Sequence, residues 1–163
     1  MSTNNADTDT AELRATLLRR AYEGEIIGCA MYDALLNDPS HPEKQALEKL
    51  YIIERITADA LKPLLVRYQV SFCEDTATTE GRRLAESLQG RPWQEMWTEV
   101  TRLADDYLDD FKRLADVLDG EDAAIGRQVV NHEEALIAFA RREVDGVPDA
   151  SAPLDDYLRR YTA

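Results

Sequence analysis

Glu25, Glu54 and His132 are the residues whose type and placement suggest chemistry. Each falls in the apolar stripe of a segment with helical period. Glu25 lines up with Leu18, Tyr22, Cys29, Tyr32 and Leu36, whereas Glu23 lines up with Glu12, Thr16 and Arg19 on a wet face. Glu54 stands among Leu47, Leu50, Thr57, Leu61 and Leu64, and His132 among Ile125, Val129, Leu136 and Phe139. An isolated carboxylate in an apolar interior is costly, so a glutamate set there needs company. That company is a metal ion, a protonated partner carboxylate, or a histidine with a tyrosine hydroxyl. Two carboxylates in contact push one pKa upward unless a cation sits between them. A divalent metal is the usual way to keep several glutamates ionised in a helical core.

The elements that must position these groups are all helical. Four long amphipathic segments are expected, at about Thr10–Asn37, from SHPE (Ser40 to Glu43) to about Tyr68, from Trp93 to Leu118, and from about Asp122 to Val144. SHPE has capping-box spacing with a proline in the first turn. Pro63 should bend the second helix. A shorter piece, Thr79 to Leu88, reads as a small helix, and PLDDYLRRY as a terminal turn or two. Residues 1–9 are polar and expected to be disordered, residues 10–145 to form the bundle, and residues 146–163 a C-terminal extension. Gly24 and Gly28 share a line with Leu17, Ala21, Met31 and Leu35, where small residues let another helix approach.

Loop lengths carry the topology. About five residues join helices 1 and 2, and a similar few join helices 3 and 4, so each pair should be an antiparallel hairpin. More than about twenty residues separate the hairpins. Short, long, short is the connection pattern of a four-helix bundle with one crossover between helices 2 and 3, although an up-and-down bundle with an elaborated middle loop stays open. In an antiparallel pair, residues equidistant from the turn share a level. Glu25 lies about twelve residues before the first turn and Glu54 about as many after it, so the two should face each other. The same reasoning puts Tyr107 level with His132.

YEGE (Tyr22 to Glu25), ERIT (Glu54 to Thr57) and NHEEAL (Asn131 to Leu136), on this bundle pattern, resemble the ferritin-like superfamily with its rubrerythrin-like and di-iron carboxylate proteins. The resemblance covers about residues 10 to 145. It implies a ligand set of one Glu from each of two helices and a Glu-x-x-His from each of the other two. Glu25 matches the first glutamate, Glu54 the acidic half of the second-helix motif, and His132 the fourth-helix histidine. Thr57 stands at the second-helix histidine position, Val129 at the fourth-helix glutamate and Tyr107 at the third-helix glutamate. Glu133 is a candidate fourth ligand, with Asp110 and Glu143 more distant. Two carboxylates and a histidine suit one iron or manganese ion rather than a di-iron centre.

The competing reading keeps the bundle without a metal. Glu25, Glu54 and His132 then form a buried polar network that fixes helix register in an interaction or binding protein, with no cofactor. The expected metal ligands are Glu25, Glu54, His132 and Glu133; no catalytic residue is assigned, and whether the chain is an enzyme is left open. No nucleophile–base order, phosphate loop or zinc motif stands out.

Composition narrows the partners. The 163 residues carry a net charge of −13, which argues against nucleic acid or an anionic membrane. No apolar run approaches a bilayer span and the N-terminus has no signal-peptide pattern, so the expected location is the cytoplasm. Cys29 and Cys73 are expected to be reduced thiols. The acidic run DDYLDD, Asp105 to Asp110, reads as a solvated face around buried Tyr107 and Leu108. A homodimer or a protein partner is left open.

Overall fold

A computed structural model describes residues 3–163. The described residues are helical throughout, with no strand: α1 (Thr3–Asn37), α2 (Lys44–Arg67), α3 (Glu74–Leu88), α4 (Trp93–Val117), α5 (Ala123–Val144) and α6 (Ala152–Tyr161), with a short 3-10 turn at Gly120–Asp122 before α5. None of these helices is long and apolar enough to cross a membrane.

Helices α1 and α2 form an antiparallel hairpin. Its closed end is tied by Lys44, whose ammonium donates to the carbonyls of Leu35, Leu36 and Asp38. At its open end the Arg14 guanidinium lies 4.5 Å over the Tyr68 ring. That stacking explains why a cation interrupts the apolar pattern of α1: its stem packs while its charge meets a π face. Helices α4 and α5 form the second hairpin. Trp97 meets Phe139 edge-on at 4.7 Å at one end, and Gly126 packs on the Ala115 backbone at the other. Trp93 anchors the same end through its indole N–H, which donates to Glu143 at 2.7 Å.

The hairpins meet with α1 against α4 and α2 against α5. Arg20 pairs with Asp110 while Gly24 faces Tyr107, so α1 and α4 are antiparallel. Arg67 and Tyr68 of α2 both bond Asp122, just ahead of α5. The chain therefore returns along the molecule between α2 and α4, and α3 makes that return. Helix α3 lies on α1, running the same way: Tyr22 donates to Glu74 at 2.5 Å, and Gly81 abuts Ile27, Ala30 and Met31. A β-carbon at Gly81 would strike the Ile27 carbonyl oxygen, so only glycine permits this approach.

Several expectations are corrected. Helix α1 begins at Thr3, where disorder was expected for residues 1–9; Met1 and Ser2 lie outside the described residues. The SHPE capping box does not form. Helix α2 starts at Lys44 after Glu43, with no side-chain cap, because Ser40 bonds Asp38 instead and the Glu43 N–H donates to His41. Helix α3 starts at Glu74, earlier than Thr79. Tyr107 and Leu108 are only half-buried, with Tyr107 partly covered by Arg20 at 5.3 Å. The expected terminal turns of the C-terminal segment form α6, which packs on α5 and α2, with Leu154 and Tyr157 buried. The close helix approach to α1 also comes from Gly81 on α3, not from Gly24 or Gly28.

Two apolar clusters fill the interior. One joins Leu17, Leu18, Leu61, Leu64, Phe111 and Leu114; the other joins Tyr32, Leu47, Leu50, Trp97, Phe139 and Leu154. Burial of each large side chain contributes about 1.5–3 kcal/mol, which is what holds the helices in this register. Between the clusters in chain order, on α1, α2 and α5, lie the buried Glu25, Glu54, His132 and Glu133.

Candidate metal centre

Glu25 is 1% exposed, Glu54 5% and His132 2%. One ligand atom from each lies within 4.8 Å of the other two. Three helices thus bring two carboxylates and an imidazole to one point. The exposed Glu23, two residues from Glu25, shows how sharply the helical period separates the two environments.

Local sequence makes room for this cluster. Gly28 lies one turn beyond Glu25, and a β-carbon there would sit 2.5 and 2.7 Å from the Glu54 carboxylate oxygens. The Glu54 head occupies the space a side chain would otherwise take. Thr57 donates to the Ile53 carbonyl at 3.0 Å and shares a 2.7 Å hydrogen bond with the Tyr157 hydroxyl. Its hydroxyl is therefore engaged on the side facing α6. Tyr157 also accepts from Gln128 at 3.2 Å, and its ring lies 5.8 Å from that of His132. Val129 is fully buried and apolar.

The imidazole lies between the carboxylates. Nδ1 is 3.0 Å from Glu25 Oε2 and 3.1 Å from Glu25 Oε1; Nε2 is 3.5 Å from Glu54 Oε1. The second contact is long and makes no hydrogen bond, so Nε2 is buried without a hydrogen-bond partner, whereas Glu25 Oε2, which also accepts no hydrogen bond, is ion-paired with Nδ1. Buried orphan polar atoms are uncommon and each calls for a cause. In the protonated imidazole Nε2 carries a hydrogen that faces Glu54 without an aligned acceptor; once that proton is lost, the nitrogen lone pair and the carboxylate oxygens are a donor set for a cation.

Burial pushes the Glu25 carboxyl well above its usual range; the His132 charge opposes this and Glu54 adds to it. Burial alone would lower His132, but the charges of Glu25 and Glu54 outweigh it and hold the imidazole well above its ordinary value. Burial raises Glu133 to about 7, with His132 opposing and Glu54 reinforcing. All three groups bind protons more tightly folded than unfolded. The stability they contribute is thus fully present below their unfolded values and is lost as pH rises through the folded ones. The metal-free protein should lose stability between about pH 5 and about pH 8, by about 2–3 kcal/mol from Glu133 alone. Urea unfolding across that range checks the slope; a flat or rising profile contradicts it.

The cluster opens on a cavity of about 330 Å³ walled by α1, α3, α4 and α5. Glu133 lines it and is 6% exposed, but stands outside the three-residue ligand group. Tyr107 and Tyr32 also face it. The more distant candidates are otherwise engaged: Asp110 pairs with Arg20 at 2.6 Å and Glu143 accepts from Trp93. Nothing in the sequence singles out Tyr32 or Tyr157. Tyr32 lies on the apolar stripe of α1, where burial and the Glu54, Glu133 and Glu25 charges raise its pKa. Tyr157 lies in a short terminal segment whose docking no local pattern announces.

No protein-family model matches the chain, and neither the curated proteins nor the solved structures provide a match.

Proposed function

We propose that the chain is a metal-binding protein built on a ferritin-like four-helix bundle, holding one iron or manganese ion for redox chemistry or metal handling. The carrying observation is the convergence of Glu25, Glu54 and His132 within 4.8 Å, with His132 Nε2 buried and making no hydrogen bond. First-row metals bind carboxylate oxygen and imidazole nitrogen at about 2.0–2.2 Å, so the atoms around one ion lie about 3–4 Å apart. A small contraction of the cluster meets that requirement. Two carboxylates also balance a divalent charge, and the donor set suits non-haem iron or manganese.

The bundle reading draws on helix adjacency: α1 beside α2 and α4, α5 beside α4 and α2, and α3 carrying the chain back between the hairpins. Thr57, Val129 and Tyr107 leave three of the six di-iron positions filled, which favours a mononuclear centre. Glu133 is close enough in sequence and burial to become a fourth ligand on rearrangement. Bound metal would supply a redox couple or a Lewis acid; the protein would supply the fixed ligands and the cavity beside them.

Anaerobic titration with ferrous or manganous ion, followed by metal analysis after desalting, tests the proposal. About one ion per chain is expected, with proton release, because Glu25 and His132 must give up protons to bind. Glu25→Gln should keep the fold with a modest stability loss and reduce metal affinity at least about tenfold. The metal-free network reading is favoured by the His132–Glu25 pairing at 3.0 Å, which already joins opposite charges. Under that reading, wild type and Glu25→Gln alike retain no metal.

A further inference from the structure

The cavity of about 330 Å³ extends well past the Glu25–Glu54–His132 group. Its α4 wall runs from Met96 to Phe111, about 22 Å of helix, and its α1 wall from Gly24 to Tyr32, about 12 Å. A space of that length and volume is narrow. Away from the ligand group the lining is mainly aliphatic, with Ile27, Met31, Leu84, Leu88, Val100 and Leu136. The mouth lies between the end of α3 and the start of α4, where the exposed Ser87, Arg91 and Glu99 line it. Glu99 is taken up by Arg102 at 2.6 Å, and the Ser87 hydroxyl donates to the Leu84 carbonyl at 2.7 Å. The Arg91 guanidinium feels the Glu99 charge at longer range but makes no hydrogen bond or ion pair among the described residues.

We propose that this cavity binds an unbranched aliphatic carboxylate of about ten to twelve carbons, its head held at the mouth by Arg91 and its chain directed inward along α4. Volume sets the length. A dry apolar cavity of about 150 Å³ takes the six carbons of benzene, so this one takes about a dozen. Shape sets the form. A long, narrow space walled by isoleucine, leucine, valine and methionine fits a single chain better than a compact ring body of equal carbon count. Charge sets the head group. An unpaired guanidinium presents a planar donor fork that matches a carboxylate. Because Arg91 is exposed, the head stays hydrated and only the chain is desolvated. The chain therefore carries most of the affinity and the ion pair adds a small, selective part. The inference stands on the cavity and its mouth and needs no metal.

The test uses the full chain freed of metal by chelation, titrated calorimetrically with decanoate, octanoate, decanol and adamantanecarboxylate. Decanoate should bind saturably, and octanoate about tenfold more weakly, since each buried methylene is worth about fourfold. Adamantanecarboxylate, a globular body with the same head, should bind at least about tenfold more weakly than decanoate. Arg91→Gln should weaken decanoate about threefold, the size expected of an exposed ion pair, and leave decanol unchanged. Val100→Trp, which fills the cavity from a half-buried wall position, should weaken decanoate and decanol alike at least about tenfold. Absence of decanoate binding, octanoate or adamantanecarboxylate binding as tightly as decanoate, decanoate affinity untouched by Arg91→Gln, or undiminished binding in a folded Val100→Trp variant would each overturn the proposal. If that variant does not fold, the chain-length series and Arg91→Gln decide. Parallel metal analysis separates the two readings: decanoate binding without metal uptake sinks only the metal, and uptake without decanoate binding sinks only the pocket.

Discussion

Replacing His132 by alanine should cost the metal-free protein about 3–5 kcal/mol, the penalty for stripping a buried charge of its partner. The imidazole is the one cationic group between Glu25 and Glu54 in the cluster, at 3.0 Å from the first and 3.5 Å from the second. Without it, two carboxylates remain in a desolvated space and one must take up a proton or draw in water. The substitution also leaves a void beside the Tyr157 ring, which adds to the loss. Metal affinity should fall at least about a hundredfold, since the only nitrogen donor of the group is gone. Denaturant unfolding and metal titration read the two effects separately. A stability change below about 1 kcal/mol would show that the charges are not coupled as the geometry states. A changed stability with unchanged metal uptake would remove His132 from the ligand set.

The burial of these three residues and the shared level of Glu25 and Glu54 are legible in the sequence because two periodicities combine, whereas the meeting of His132 with them depends on how the two hairpins align, which the chain does not state. The helical period placed Glu25, Glu54 and His132 on buried stripes, and equal distance from a short turn placed Glu25 and Glu54 at one level. Both arguments are local, and both use the short hairpin loops. Where loops are long the reasoning weakens. The start of α3 and its seat on α1 depend on Gly81, and no pattern in TEGRR says that its missing side chain meets the Ile27–Met31 stretch. The SHPE motif was misread because Asp38 competes for the Ser40 hydroxyl, an interaction set by the turn rather than by the helix that follows. The cavity could not be inferred at all. It is a difference between the volume enclosed by helices and the volume of the side chains that fill it, and only packing fixes that difference. Tyr157 belongs to the same class, since its bond to Thr57 spans a hundred positions.

Gly28→Ala should weaken metal binding sharply while leaving the fold nearly as stable as before. The added β-carbon would overlap the Glu54 carboxyl group, with its oxygens at 2.5 and 2.7 Å. That group is the end of a flexible side chain, so the clash is relieved by swinging Glu54 away from His132 rather than by moving a helix. Alanine in a helix interior also gains about 1 kcal/mol over glycine, which offsets the repacking. At Gly81 the same change would press on the Ile27 carbonyl, part of the backbone, and has no such escape. The two glycines therefore separate site from scaffold. Thermal or urea unfolding of Gly28→Ala should lie within about 1 kcal/mol of the parent. Its metal affinity should fall at least about tenfold, because a ligand has been displaced without being removed. Full metal uptake by a folded Gly28→Ala protein would exclude Glu54 as a ligand in the position seen here. A collapse in stability would show that Gly28 serves helix packing instead of the Glu54 head group.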